Sequence, residues 1–241
     1  MISLIIIARL LEYPSEALWE HCDELFHEAM QANELTNEHK QQLLDTMTAL
    51  LKMPFLDAQA DYCTLFDRGR STSLLLFEHV HAESRDRGQA MVDLMAQYEA
   101  AGLSLNSREL PDFLPLYLEF LAHQPHAKML EGLQNIVPIL ALLAARLYQR
   151  QSHYATLFDV LISLTNSEVS TTELQDKVAS EARDDTPEAL DAVWQEEQIT
   201  FMGDAGCSTS EQTQHQRRFA GAVTPQYLNV EALHTAGSCG D

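Results

Sequence analysis

Apolar side chains recur at helical spacing along most of the chain. They occupy positions i, i+3, i+4 and i+7, which lie on one face of a helix. The clearest stripes span 18–29, 58–66, 91–98, 154–162 and 190–194. The sequence has no hairpin dipeptide and no sustained alternation of apolar and polar residues, which strands would need. The pattern therefore predicts an all-α fold, a single bundle-like domain of about nine to eleven helices.

Prolines mark where these helices begin, end or bend. A proline inside a helix costs about 3 kcal/mol, so each one predicts a boundary or a kink. Pro14 ends the first helix, Pro54 precedes another, and Pro125 and Pro138 interrupt the apolar stretch 126–150. The pair Thr186-Pro187 has the residue types of a helix N-cap and first turn, which predicts a further helix there.

The composition changes at position 203. Five of the nine glycines fall in the last 39 residues, and the apolar stripes fade there. Such a segment has little apolar surface to offset the entropy lost on ordering. The sequence predicts a helical domain over residues 1–202 and a flexible or loosely docked C-terminal tail over 203–241.

The chain is strongly acidic. It carries 15 Lys and Arg residues against 36 Asp and Glu residues, a formal net charge of −21 over 241 residues. The stretch 10–39 alone holds eight acids and no Lys or Arg. A surface of this kind repels phosphate backbones, which argues against nucleic acid as a partner and favours a basic one.

Thiols and apolar runs bear on the compartment. The four cysteines, at positions 22, 63, 207 and 239, form no Cys-x-x-Cys pair, which predicts free thiols in a reducing compartment. The apolar N-terminal run stops at Arg9 and lacks a small-residue cleavage site, so no secretion signal is predicted. The longest later uncharged run, 132–145, has fourteen residues, whereas a membrane span needs about 18. We expect a cytoplasmic protein that does not insert into the membrane.

Two Glu-x-x-His pairs have the spacing of a diiron site, because side chains at i and i+3 share a helix face. Glu24 and His27 lie opposite the apolar stripe of their predicted helix, which argues against a buried metal. Glu78 and His81 fall in an apolar segment, and a helix there would bury them. They could ligate a metal in a helical metal-dependent oxidoreductase, or pair with each other or with Arg85. No phosphate loop, nucleophile elbow or zinc-protease motif occurs, so the sequence favours a non-catalytic protein without a cofactor.

Two short clusters combine arginines with a glycine and an aspartate, namely Asp67-Arg68-Gly69-Arg70 and Arg85-Asp86-Arg87-Gly88. Arginine forks near a helix N-terminus can hold a phosphate. Alternatively, the aspartates neutralise the arginines locally and the first glycine stops a helix. Both interpretations stay open.

The segment 109–118 is dense in leucine and aromatic residues and holds two prolines four apart. Pro111 and Pro115 fix the geometry with which the chain enters the following helix. The apolar side chains point almost everywhere, as they do in a core. They could also line a groove for an apolar helix, with Glu109 and Asp112 at its rim to meet cationic residues.

Several of these segments resemble the redox-enzyme maturation proteins, the all-helical assembly chaperones of molybdenum oxidoreductases. The run Tyr62-Cys63-Thr64-Leu65-Phe66 is similar to the family's aromatic-x-x-Leu-Phe helix. The run Glu109-Leu110-Pro111-Asp112 is similar to the start of its Glu-x-Pro-Asp-His motif, in which Phe113 replaces the histidine. Longer runs, at 65–70, 73–81, 84–91, 181–198 and 216–227, resemble the branch that serves the respiratory nitrate reductase.

The resemblance implies a non-catalytic cytoplasmic chaperone without a cofactor of its own. Such proteins bind the N-terminal, signal-like segment of the nitrate reductase alpha subunit. They keep the apoenzyme competent for insertion of its molybdenum cofactor, and proteins that deliver this cofactor are further partners. A signal-like peptide is an apolar helix with a basic end, and an acidic host with an apolar groove complements both parts.

The peptide groove of the family can be mapped onto this sequence. The resemblance assigns to it Tyr62, Leu65, Phe66, Glu109, Pro111, Asp112 and Phe113. The apolar pattern of the intervening segment, rather than the family, adds Leu76 and Phe77. The arginines predicted to contact the cofactor or the client are Arg68, Arg70, Arg85 and Arg87.

Overall fold

Helices make up the regular structure in the computed structural model, which describes residues 1–80, 85–105, 109–165, 167, 169, 171–192 and 194. The α-helices are α1 (Ile2–Leu11), α2 (Glu16–Glu20), α3 (Cys22–Gln31), α4 (Asn37–Leu51), α5 (Phe55–Phe66), α6 (Arg85–Ala100), α7 (Leu114–Ala122), α8 (His126–Gln149), α9 (Ala155–Ser163) and α10 (Thr171–Val178). Two short 3₁₀ helices, Arg70–Thr72 and Leu76–Glu78, follow α5. The described ranges contain no strand beyond one isolated β-bridge, so the all-α prediction is confirmed.

The helix α8, 24 residues long, lies at the centre of the core. It packs against α9, α10 and α7, and its residues Leu133, Leu140 and Leu147 are fully buried. By length and composition α8 could cross a membrane, yet 56% of its most apolar window is buried inside the protein. This burial is what the central helix of a packed core requires.

Pro138 lies inside α8 and does not end it. Of the two outcomes predicted for it, a boundary or a kink, the boundary is wrong, because α8 is continuous from His126 to Gln149. Proline removes one helical hydrogen bond, but its neighbours Val137 and Leu140 are buried in the core. Each such side chain contributes about 1.5–3 kcal/mol on burial, which offsets the cost of the proline.

Other helix starts follow the sequence pattern. Pro54 and Pro125 are the N-cap residues of α5 and α8. Thr186 caps a helical turn that begins at Pro187, because its hydroxyl accepts a hydrogen bond from the Ala189 N–H at 3.2 Å. These predictions are confirmed.

The segment 74–80 is not the apolar helix that the sequence predicted. Only Leu76–Glu78 forms a 3₁₀ turn, because the backbone N–H groups of residues 76 and 77 bond to Asp112 rather than along a helix. His81 lies outside the described residues, so a metal pair of Glu78 and His81 stays a prediction. The part of the chain that is described contains no metal-binding group of three or more ligand side chains.

The apolar stripe 18–29 is divided between two helices. His21, with backbone angles φ −103° and ψ 19°, separates α2 from α3. No residue of α2 is buried, and α3 buries Ala29 alone. The apolar residues Leu18 and Leu25 are consequently only half-buried and lie at the surface.

An ion-pair cluster fastens the segment 181–185 to the core. The guanidinium of Arg150, whose side chain is 4% exposed, lies 3.0 Å from Asp184 Oδ1 and 3.6 Å from Asp185 Oδ1. Asp184 also accepts a hydrogen bond from the Ser71 N–H at 2.7 Å. A Cβ atom at Gly69 would lie 2.6 Å from the Asp184 carboxylate, so a larger residue there would push this carboxylate away from its partners.

Residues Met1–Leu190 form one compact unit. A second unit begins at Asp191. The predicted domain boundary at 202–203 and the tail 203–241 lie outside the described residues, so both stay predictions.

Arg150→Met is expected to lower the free energy of unfolding by about 3 kcal/mol, because it leaves a buried carboxylate without one of its cations. Urea unfolding followed by circular dichroism measures this change. The control is Lys128→Met, at an exposed position of α8, for which we expect a change within about 0.5 kcal/mol. Equal stability of the two variants would contradict this role of Arg150.

Candidate functional site

An acidic cleft opens where α1, the end of α5 and the start of α7 meet, with a volume of about 590 Å³. Its lining residues are Arg9, Glu12, Tyr13, Tyr62, Asp67, Glu109, Phe113, Leu116 and Glu119. Four of them are carboxylates and four are aromatic or aliphatic. The cleft therefore combines negative charge with an apolar surface.

The apolar faces of α1 and α7 hold these two helices against each other. The buried contact residues are Leu4, Ile7 and Leu11 of α1 and Leu114, Leu118 and Leu121 of α7. This packing brings Arg9 of α1 to Glu119 of α7, with Nη2 and Oε1 3.4 Å apart. Arg9 Nη1 also donates to Glu12 Oε1 at 2.8 Å. One edge of the cleft is thus a small ion-pair network.

Aromatic rings form the apolar wall of the cleft. Tyr62 is 4% exposed, and its ring meets Tyr13 edge-on with 5.6 Å between centroids. Phe66 lies 4.8 Å from Tyr62, and Tyr154 meets Phe66 edge-on at 5.1 Å. The Tyr62 hydroxyl donates to the carbonyl of Leu11 at 2.9 Å, which ties α5 to the end of α1. Burial raises the pKa of Tyr62 far above its ordinary value, so the hydroxyl keeps its proton.

Backbone pairing fixes the segment that precedes α7. The Leu114 N–H donates to the Leu74 carbonyl at 2.8 Å, and the Leu76 N–H donates to the Asp112 carbonyl at 3.0 Å. These two bonds flank Phe113, whose side chain lines the cleft. The segment 74–77, which consists of an isolated bridge at Leu75 and the start of a 3₁₀ helix, thus holds Phe113 in place.

Asp112 anchors this pairing from inside the protein. Its side chain is fully buried, and Oδ2 accepts a hydrogen bond from the Phe77 N–H at 2.9 Å, whereas Oδ1 has no partner among the described residues. Burial raises the pKa of Asp112 above its ordinary value, although the Phe77 N–H and the charge of Arg87 act against the shift. The expectation that Asp112 lies at the rim is wrong, because its carboxylate turns inward to satisfy the backbone.

Negative charge dominates the cleft. Among the described residues that line it, Arg9 is the one Lys or Arg beside four carboxylates. Partial burial alone would lower the pKa of Arg9, but the carboxylates of Glu12 and Glu119 raise it overall. A cationic group that enters the cleft therefore meets a favourable potential.

The residues predicted for the peptide groove separate into two groups. Tyr62, Glu109 and Phe113 line the cleft. The remainder lie behind it, with Leu65, Phe66, Leu76, Pro111 and Asp112 buried and Phe77 half-buried against the core. Tyr98 of α6 supports this layer, because its hydroxyl donates to the Pro111 carbonyl at 2.7 Å.

The predicted arginines lie on two separate segments. Arg68 and Arg70 follow α5 and are exposed, whereas Arg87 on α6 lies 3.7 Å from Glu78. The side chain of Arg85 lies outside the described ones. A contact of these arginines with a cofactor or client stays a prediction.

Several lining residues were not predicted for the site, namely Arg9, Glu12, Tyr13, Asp67, Leu116 and Glu119. The acidic stretch 10–39 and the i, i+3 spacing of Arg9 and Glu12 are the available sequence signals. Neither indicates that Arg9 meets Glu119, which lies 110 positions further along the chain. Only the packing of α1 on α7 brings them together.

The lining of the cleft suits the binding of a partner. It combines one arginine with four carboxylates and four aromatic or aliphatic residues. Its combination of aromatic surface and carboxylates suits a polypeptide with apolar and cationic side chains. These features suit a helical protein that binds a polypeptide partner.

Known proteins place the chain within a family. Residues 28–160 match the family model described as nitrate reductase delta subunit. The chain is 61% identical over 230 residues to the nitrate reductase molybdenum cofactor assembly chaperone NarJ of Escherichia coli K12. The matched region covers 95% of this chain and 98% of that protein. The chain is 53% identical over 229 residues to the probable assembly chaperone NarW of the same strain, with 94% and 96% covered. A probable NarJ of Bacillus subtilis 168 is 33% identical over 102 residues, 42% of this chain and 55% of that protein.

The chain belongs to the nitrate reductase delta subunit family. The resemblance found in the sequence is confirmed, and so is the prediction that the protein is a chaperone and not an enzyme.

Substitutions of Asp112 test how the cleft wall is held. Asp112→Ala is expected to lower the free energy of unfolding by about 1–3 kcal/mol, because the Phe77 N–H loses its acceptor in a buried place. Asp112→Asn keeps an acceptor oxygen, so we expect its stability at pH 7 to equal or slightly exceed that of the wild type. Urea unfolding measures both.

The pH dependence of these stabilities has a defined sign. Because the pKa of Asp112 is raised on folding, its ionised form lowers stability at neutral pH, and this loss disappears as the pH falls toward the unfolded value of 3.8. Any advantage of Asp112→Asn over the wild type should therefore shrink between pH 7 and about pH 4. An Asn variant as unstable as the Ala variant would mean that the negative charge itself is required.

Proposed function

We propose that this protein is a dedicated assembly chaperone of respiratory nitrate reductase that holds the N-terminal segment of the catalytic alpha subunit in the acidic cleft. It acts in the cytoplasm and keeps the apoenzyme competent for insertion of the molybdenum cofactor. It also delays docking of the apoenzyme to the membrane. Proteins that deliver the cofactor are its further partners.

The observation that carries the proposal is the make-up of the cleft. A helix is about 10 Å across with a rise of about 5.4 Å per turn, so 590 Å³ corresponds to roughly one to two turns. The Tyr13 and Phe113 side chains offer apolar surface to such a helix, and the carboxylates Glu12, Asp67 and Glu109 offer charge to its basic end. The cleft thus offers a complementary surface both to the apolar helix and to the basic end of a signal-like segment.

The relatives support the same role. Two proteins that match this chain over nearly their whole length, at 61% and 53% identity, are named as assembly chaperones for the molybdenum cofactor of nitrate reductase. Identity at this level over the full length favours a common function. The alpha-subunit peptide and its place in the cleft are our own proposal.

The direct test is calorimetric titration of the full chain with a synthetic peptide of the alpha subunit's N-terminal segment. We expect micromolar or tighter binding with a negative heat-capacity change, because apolar surface is buried. A flat titration at micromolar concentrations would refute the proposal.

Phe113→Ala tests the apolar wall. We expect the affinity for the peptide to fall about tenfold, because aromatic side chains at the centre of an interface commonly contribute more than 1 kcal/mol. Leu56→Ala is the control, since Leu56 is 74% exposed and does not line the cleft. Equal losses of affinity in the two variants would mean that the peptide does not bind against the apolar wall of the cleft.

Glu109→Gln tests the charge. The expected loss of affinity is about threefold at low salt, and it should vanish in high salt, where exposed charges are screened. The matched control is Glu99→Gln, at an exposed position of α6 that does not line the cleft. A loss that persists in high salt would mean that Glu109 does not act through its charge.

A further inference from the structure

A second groove adjoins the acidic cleft and extends along α2 and α3, with a volume of about 450 Å³. We call it the α2–α3 groove, and its lining residues are Arg9, Glu12, Ser15, Ala17, Leu18, His21, Glu24, Leu25 and Glu28. Arg9 and Glu12 line both cavities. The two cavities therefore meet at the ion pair between these residues.

Arg9 occupies a special position in this arrangement. Among the described lining residues of both cavities it is the one Lys or Arg, and six different carboxylates line the two cavities with it. Its contacts with Glu12 and Glu119 measure 2.8 Å and 3.4 Å, and all three side chains are partly exposed, at 45%, 39% and 39%. In the absence of a client, Arg9 thus supplies the positive charge that a basic side chain of the client would bring to the cleft.

We propose that Arg9 is a resident competitor cation, which neutralises Glu12 and Glu119 in the empty cleft and is displaced toward the α2–α3 groove by a basic side chain of the client. This inference rests on the proposed function, because it requires a cationic client in the cleft. It assigns to Arg9 a control of affinity and charge selectivity.

The exchange is energetically cheap in both directions. Exposed ion pairs contribute only about 0.2–1 kcal/mol each, so a second cation at the same carboxylates displaces the first one readily. The long arginine stem carries its guanidinium over several ångströms without backbone movement. Binding therefore trades one cation for another, and the departure of the client restores the original pairs.

The α2–α3 groove provides carboxylates for the displaced guanidinium. Glu24 Oε1 lies 3.3 Å from His21 Nδ1, and both Glu24 and Glu28 are exposed. Both line the groove that Arg9 itself lines. A displaced Arg9 thus exchanges one set of carboxylates for another instead of being left unpaired beside the bound cation.

The test is calorimetric titration of full-chain variants with the alpha-subunit peptide and with a neutral copy in which Lys and Arg are replaced by Gln. Arg9→Gln is expected to bind the basic peptide about fivefold more tightly than the wild type, because two exposed ion pairs no longer compete. Its affinity for the neutral peptide should match that of the wild type. Arg9→Lys should keep the wild-type affinities, and Lys128→Gln controls for the change in net charge.

A double-mutant cycle tests the role of the α2–α3 groove. Glu24→Gln combined with Glu28→Gln should weaken binding of the basic peptide about twofold in the wild type and not at all in the Arg9→Gln background. A loss that persists in that background would mean that the client itself contacts this groove, which overturns the proposed displacement.

Two results separate the two proposals. Wild-type binding with no gain in Arg9→Gln overturns the competitor role and leaves the peptide site intact. Failure of the wild type to bind either peptide refutes the proposed function and the role of Arg9 together. Urea unfolding of each variant verifies that the compared proteins are equally folded.

Discussion

The pairing of residues 74–77 with 112–114 is the contact on which the cleft depends. It joins segments about 35 positions apart, which is the separation between Phe77 and its hydrogen-bond partner Asp112. It also gives partners to backbone groups that have none within a helix. The carboxylate of Asp112 completes it at an energetic cost, since burial disfavours its charge. The benefit is geometric: Phe113 is held from behind, and α7 starts in a fixed direction.

The second constraint is the contact between α1 and α7. It buries leucine and isoleucine side chains on its inner side and places charged side chains on its outer side. The Tyr62 hydroxyl joins this pair to α5 through the Leu11 carbonyl. Three helices from distant parts of the chain are thus packed together beneath the cleft. As a result, an apolar wall and a set of carboxylates line the same cleft.

Periodicity was sufficient to predict the fold class and most helix starts, because local apolar spacing and proline positions decide them. It failed at 74–80, because an apolar run of this length is compatible with a regular helix as well as with the observed β-bridge and 3₁₀ turn. It also placed Asp112 at the rim, since sequence cannot distinguish a carboxylate that meets water from one that caps a backbone N–H. Tyr62, Glu109 and Phe113 were found through a motif, whereas Arg9, Leu116 and Glu119 depend on tertiary packing that no local pattern encodes.

The thin attachment of α2 and α3 has a dynamic consequence. These helices bury almost nothing, with Ala29 as the single buried residue in both. Segments with so few buried contacts open locally at a small fraction of the global unfolding free energy, and their amide hydrogens exchange early. The α2–α3 side of the Arg9 ion pairs therefore yields more easily than the opposite side, which is built on α7 and the core, so local opening there leaves the centre of the protein intact.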